Sequence, residues 1–275
     1  MSTALDTTEF AGVPAAAMAP ETGADARTVD VQNIYKRFGS SVILNGVSAG
    51  FQDNAITSVL GPSGTGKSVL LKHIVGLLEP DAGSVKVFGT DIWKLPEVER
   101  YELRKNFGVL FQDGALFGSM NIYDNIAFPL RKHTDKSEDE IREIVMSHVN
   151  EVGLSAALDK APNEISGGMR KRAGFARALV MNPKVVLFDE PDSGLDPVRT
   201  KLLSQLITEM HQRHGGTYIV ITHDIPTART VSDYVGVLWK GKMMHWGEAD
   251  EAFDSQDPFV RQFLAGAAVG PLGMD

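Results

Sequence analysis

Apolar positions along this chain recur with two different periods, and the changes between them mark its elements. Between Val31 and Phe38 apolar and polar residues partly alternate, which predicts a strand. Val42–Phe51 predicts a second strand, broken at Asn45-Gly46. Ala55–Leu60 is a short apolar run ending at a glycine-rich turn. Val69–Leu78 behind it reads as a helix, and Pro80-Asp81-Ala82-Gly83 as a turn. Phe107–Phe111 predicts another strand. The period then changes. Ser137 and Glu140 have capping-box spacing, and Ile141, Val145, Val149 and Val152 follow along one helical face. Residues from about 115 to 165 are therefore expected to be mainly helical, and Gly167–Met181 continues as a helix that stops before Pro183. Val185–Asp189 is an apolar run closed by an acid, the mark of a buried parallel strand. Leu202, Leu203, Leu206, Ile207 and Met210 form a helical stripe ended by Gly215-Gly216. Thr217–Thr222 predicts a strand, and Val235–Trp239 with Met243–Trp246 a hairpin about Lys240-Gly241-Lys242. Strands alternating with helices predict an α/β fold with a largely parallel sheet.

Composition narrows the functions open to such a fold. The 275 residues allow one large domain or two small ones. Residues 1–27, rich in Ala, Thr and Pro, are expected to form a flexible tail. With 27 Lys+Arg against 35 Asp+Glu the net charge is −8, which argues against general nucleic-acid coating. The absence of Cys excludes a disulfide framework, thiol catalysis and Cys-ligated metals. No apolar run approaches the roughly 18 residues of a membrane span, and no secretory signal is apparent. Contact with a membrane is expected to be peripheral or through a partner.

The chemistry concentrates in one string. Gly61-Pro62-Ser63-Gly64-Thr65-Gly66-Lys67-Ser68 is a complete G-x-x-x-x-G-K-S between a predicted strand and a predicted helix. Its glycines let backbone N–H groups turn toward phosphate oxygens, and the helix start, running on through Val69, adds partial positive charge. Lys67 is positioned to reach the β- and γ-phosphates of a nucleotide, and the Ser68 hydroxyl to bind Mg²⁺. Asp189, at the end of an apolar strand, is the candidate second metal contact. Glu190, one residue on, is the candidate general base. His223 follows another strand aimed at the same sheet edge and is a candidate for hydrogen bonding the γ-phosphate and the water. Arg170, Lys171, Arg172 and Arg177 make a basic stretch without interleaved aromatics, read as a helix face serving a dimer interface, packing and solvent rather than a nucleic-acid site.

These residues, with Ile165-Ser166-Gly167-Gly168-Met169, Gln112 and Ser193-Gly194-Leu195-Asp196, resemble ABC ATPases over about residues 29–247. Ile165–Met169 matches that family's LSGGQ signature, with Ile for Leu and Met for Gln, and Gln112 matches its Q-loop, a metal and catalytic contact. Ser193–Asp196 matches its D-loop, His223 its switch histidine, and Phe38 its adenine-stacking aromatic. The resemblance implies a P-loop NTPase with a RecA-like core, a small antiparallel β part and a helical subdomain at about 115–180, within an ATPase domain at 28–247. It implies Mg²⁺-dependent ATP hydrolysis, with each ATP held between the P-loop of one copy and Ser166-Gly167-Gly168 and Asp196 of another, hence a homodimer. The strings Leu116–Arg131, Ile165–Leu179 and Asp189–Thr200 look like the ATPases of Mce and Mla lipid transporters. That implies a YrbE-like permease, MCE-domain proteins, a hydrophobic cargo and a place on the cytoplasmic face of the inner membrane. Leu116, Phe117 and Met120 are candidates for the permease groove. A soluble ABC ATPase that remodels nucleic-acid or protein complexes is the alternative. The extension at 248–275, with an amphipathic helix at Pro258–Leu264, either clasps a partner subunit, as in Mla-type ATPases, or frays.

Overall fold

Two twelve-residue strands, Arg27–Phe38 (β1) and Ser41–Gln52 (β2), pair antiparallel at the start of the computed structural model, which describes residues 27–272. The tail expected over residues 1–27 lies outside the described residues except for Arg27, which begins β1. The break expected at Asn45-Gly46 is instead a bulge in a continuous strand. Ile34 faces Val47 while Tyr35 faces Asn45, so Gly46, at φ 73°, is the extra residue. β1 also pairs with Ala82–Val87 (β4), and β4 with Thr90–Asp91 (β5), giving the antiparallel order β2-β1-β4-β5. β4 begins inside the stretch expected to be a turn. Gly83 permits this: at φ 94° it lies so close to β1 that a Cβ would stand 2.3 Å from the Asn33 carbonyl oxygen.

The second sheet is built from Ile56–Leu60 (β3), Phe107–Leu110 (β6), Val185–Asp189 (β7), Thr217–Thr222 (β8), Tyr234–Trp239 (β9) and Lys242–Glu248 (β10). Its order is β10-β9-β3-β8-β7-β6. All neighbours are parallel except the β9–β10 hairpin, which turns on Lys240 and Gly241, both at positive φ. β3 and β8 are buried at every position, because both faces of the sheet are covered. Lys67–Ile74 (α1) and the antiparallel sheet pack on one face. Val29, Phe51, Leu70, Ile74, Leu187 and Ile219 belong to the core they share. Gly167–Leu179 (α5) and Pro197–His214 (α6) cover the other face around Phe175, Phe188 and Tyr218. Leu203, Ile207 and Met210 of α6 point inward as expected. Leu202, counted in the same stripe, lies on the outer side of the helix and is exposed.

The helical part has its own core. Glu97–Arg104 (α2) precedes β6, and Ile122–His133 (α3) and Glu138–Glu151 (α4) follow it. α4 carries the full capping box between Ser137 and Glu140, and Ile141, Val145, Val149 and Val152 are buried against α3 and α5. α3 carries Pro129 in its interior, which hides it from a periodicity reading. Buried Asn125 fastens the loop before it, donating to the Phe117, Met120 and Asn121 carbonyls. At the C-terminus, Ala249–Phe253 (α8) and Pro258–Ala265 (α9) fold onto their own chain with Ile225–Val231 (α7). Val260 and Leu264 pack with Leu60, Val235 and Val237. Leu272 is buried there too, its N–H donating to Gln262 Oε1 at 2.8 Å. Among the described residues no helix is long and apolar enough to cross a membrane.

Candidate nucleotide-binding site

Because β3, β6, β7 and β8 run parallel, their C-terminal ends share one edge of the sheet, the edge where such sheets collect ligands. Gly61–Ser68 leaves β3 there, Asp189 and Glu190 leave β7, His223 leaves β8, and Gln112 follows β6. Gly61 turns against the hairpin so tightly that a Cβ would sit 2.3 Å from the Leu238 carbonyl oxygen. Gly66, at φ 103°, caps α1 without any side-chain acceptor, so the first-turn N–H groups of α1 keep their partial positive charge for a ligand.

Lys67 is 4% exposed and folds back over its own loop, donating to the Gly61 and Pro62 carbonyls at 2.7 and 2.9 Å. Its Nζ lies 3.6 Å from Glu190 Oε1. Burial holds this ammonium below the usual lysine range, and Glu190 opposes the shift. Ser68 donates to Asp189 Oδ1 at 2.9 Å. Burial lifts the Asp189 carboxyl above its ordinary range despite that hydrogen bond. Glu190 has φ 48°, a left-handed turn that swings it out of β7 while its N–H still donates to Ile221 at 2.8 Å. The turn brings Glu190 Oε1 to 3.7 Å from His223 Nδ1. Gln112 joins the edge by donating to Ser193 Oγ at 2.9 Å.

The remaining candidates make contacts of their own. Ser166 caps α5, accepting the Met169 N–H at 3.3 Å. With Gly168, Met169, Leu195 and Arg199 it lines a cavity of about 460 Å³ between α4, α5 and α6 that no residue of Gly61–Ser68 touches. Asp196 caps α6, and the Arg199 N–H it accepts holds its carboxyl below the usual range. Phe38, at the end of β1, is half exposed, with Lys36 Nζ 5.7 Å above the ring.

Two residues carry more than their sequence context showed. Asp192 is 7% exposed, accepts Thr222 Oγ1 at 2.7 Å, and has its pKa raised by burial. Lys171 was expected on a face shared by a dimer interface, packing and solvent. It is buried, and donates to the carbonyls of Pro191, at 2.7 Å, and Ser193, tying α5 to the turn that follows Glu190. Arg170, Arg172 and Arg177 also donate to backbone carbonyls, of Ile165, Val152 and Gly114. The third acid of Asp189-Glu190-Pro191-Asp192 was the readable signal for Asp192. For Lys171 there was none.

A phosphate loop, a hydroxyl–carboxylate oxygen pair and a carboxylate–imidazole pair on one parallel sheet define a nucleotide triphosphatase. The hard oxygens of Ser68 and Asp189 suit Mg²⁺, and the open space at Gly64 and the uncapped start of α1 suit phosphate. Residues 44–193 match the ABC transporter family. The chain is 53% identical over 246 residues to the probable ribonucleotide transport ATP-binding protein mkl of Mycobacterium leprae, covering 90% of this chain and 71% of that protein. It is 38% identical over 247 residues to the intermembrane phospholipid transport system ATP-binding protein MlaF of Escherichia coli K12, covering 90% and 92%. Its fold superposes on cbiO1 of Clostridium perfringens, part of the ABC transporter complex cbiONQ, with TM-score 0.77 at 29% identity, covering 87% and 95%. It also superposes on a dimeric post-hydrolysis state of the ATP-binding cassette MJ0796 bound to ADP and Pi, with TM-score 0.74 at 28% identity, covering 80% and 98%. The chain belongs to the ABC transporter family, as an ATP-binding and ATP-hydrolysing subunit with Mg²⁺ as cofactor.

Proposed function

We propose that this ATPase powers MCE-type lipid transport, as a head-to-tail homodimer under a YrbE-like permease with MCE-domain proteins, on the cytoplasmic face of the inner membrane. The observation that carries the lipid reading is the likeness to MlaF over nearly that protein's whole length. The name of the mycobacterial relative favours a second reading, ribonucleotide transport. Exposed Phe111 and Phe117 near the helical part offer apolar contact for a permease.

Within the site the proposed roles follow from placement. The Gly61–Val69 loop and helix start wrap the phosphates, with Pro62, Ser63, Gly64, Thr65 and Gly66 presenting N–H groups or shaping the turn. Lys67 exchanges its loop carbonyls for β- and γ-phosphate oxygens, which adds charge pairing to that of Glu190 around a buried ammonium. Ser68 and Asp189, with Gln112, hold Mg²⁺, which neutralises phosphate charge when bound. Glu190 accepts a proton from the attacking water as its oxygen adds to the γ-phosphorus and the β–γ bridging bond breaks toward ADP. His223 orients Glu190 and hydrogen-bonds the γ-phosphate, and Phe38 stacks on adenine. Ser166, Gly167, Gly168 and Asp196 serve the nucleotide of the opposite copy. Ser166 and Gly168 line a cavity that no residue of Gly61–Ser68 lines, which supports that assignment.

The test is mass spectrometry of the complex isolated from its native membrane. Co-purifying permease, MCE-domain protein and lipid support the proposal. A complex carrying ribonucleotide cargo and no lipid favours the second reading, and a soluble particle without a permease overturns both.

A further inference from the structure

A cluster outside the ATPase site joins the helical part to the α/β core. His148 and Glu151 lie one turn apart near the end of α4, and His214 is the last residue of α6. His148 Nδ1 is 2.9 Å from Glu151 Oε2, and His214 Nε2 is 3.1 Å from the same oxygen. One ligand atom from each residue lies within 4.8 Å of the others. The side chains are only 12%, 11% and 23% exposed for His148, Glu151 and His214. Both helices end at this cluster, so two C-terminal dipoles direct partial negative charge to it.

We propose that His148 Nδ1, Glu151 Oε2 and His214 Nε2 bind a divalent transition metal of the zinc class, cross-linking α4 to α6. Two imidazoles and a carboxylate are a donor set that zinc takes readily, with water as the fourth tetrahedral ligand. Tetrahedral ligands on bonds of about 2.0–2.1 Å stand about 3.3 Å apart. Two of the three separations here are already 2.9 and 3.1 Å, so binding needs little movement. Arg213 is the competing charge, but its contact, 3.3 Å, goes to the other carboxylate oxygen, Oε1. Mg²⁺, which prefers an all-oxygen octahedron, stays with the nucleotide. The bound ion would tie a helix of the helical part to a helix of the core, holding the two parts at their present separation.

The probe is Co²⁺, titrated into the untagged, nucleotide-free full chain in excess Mg²⁺, with Zn²⁺ as competitor. The expected result is one tight site per chain, with a visible d–d band that Zn²⁺ abolishes. Glu151→Gln, which keeps the side-chain shape, and the double variant His148→Ala/His214→Ala should each weaken binding more than about tenfold. Zn²⁺ should raise Tm in the wild type and not in the double variant. No tight Co²⁺ site in the wild type, or affinity unchanged in Glu151→Gln and in the double variant, overturns the proposal.

Discussion

His73 sits on α1, the helix that presents the phosphate loop, and is fully buried. Its Nδ1 is 2.5 Å from the Leu78 carbonyl oxygen, so that nitrogen carries the proton, and Nε2 is buried with no hydrogen-bond partner. Protonating Nε2 would bury a charge without an acceptor. Burial therefore pushes the imidazole down to about 4 from 6.5. Between those values the unfolded chain binds a proton that the native protein does not. The stability His73 contributes is therefore complete above about pH 6.5 and is lost as pH falls toward 4. Over pH 7.5 to 5.0 the loss from this group is about 2 kcal/mol. His73→Asn places an amide donor where Nδ1 stands and removes the titration. Urea unfolding of the nucleotide-free protein at the two pH values should show the wild type losing about 2 kcal/mol more than the variant. His133, His148 and His245 are also shifted down by burial, but they are common to both proteins and cancel in the difference. Equal pH dependence in the two proteins, or an imidazole that titrates near 6.5 by NMR, would refute the reasoning.

Lys171→Met keeps the side-chain length and removes the donor to Pro191 and Ser193. Two orphaned carbonyls at about 1–3 kcal/mol each should lower Tm by more than about 4 °C. Turnover should fall more than KM rises, and an unchanged Tm with unchanged turnover counts against the anchoring role. Gly61→Ala forces a Cβ against the Leu238 carbonyl. Titration with a fluorescent ATP analogue should show a loss of affinity above about tenfold, or about 1.4 kcal/mol, and wild-type affinity would mean the loop is not held as described.

Much of this protein was legible because its central strands are short, apolar and sharply ended. Val185–Asp189 and Thr217–Thr222 are observed with the boundaries expected from pattern alone. The phosphate loop was legible for a similar reason: backbone binding of phosphate constrains residue type at fixed spacing. The losses came where tertiary contacts overrode local signals. β4 starts in a sequence that looks like a turn, because β1 supplies its hydrogen bonds. α3 keeps a proline because its neighbours hold it. Lys171 looks like a surface cation in sequence, and its two carbonyl acceptors, some twenty residues away, exist only after folding. Ser166-Gly167-Gly168 is the opposite case: its motif was plain, and Ser166 and Gly168 line a cavity to which its own phosphate loop contributes no residue.

The proposed head-to-tail pairing of two copies gives that motif a phosphate to bind. The direct measurement is the mass of Glu190→Gln in solution with ATP and Mg²⁺, by light scattering against the nucleotide-free protein. The variant keeps the side-chain shape and loses the proton acceptor, so bound ATP should persist and the protein should run at twice the chain mass, returning to single chains with ADP. A Glu190→Gln protein that binds ATP at wild-type affinity and stays a monomer, with or without its permease, would contradict the account.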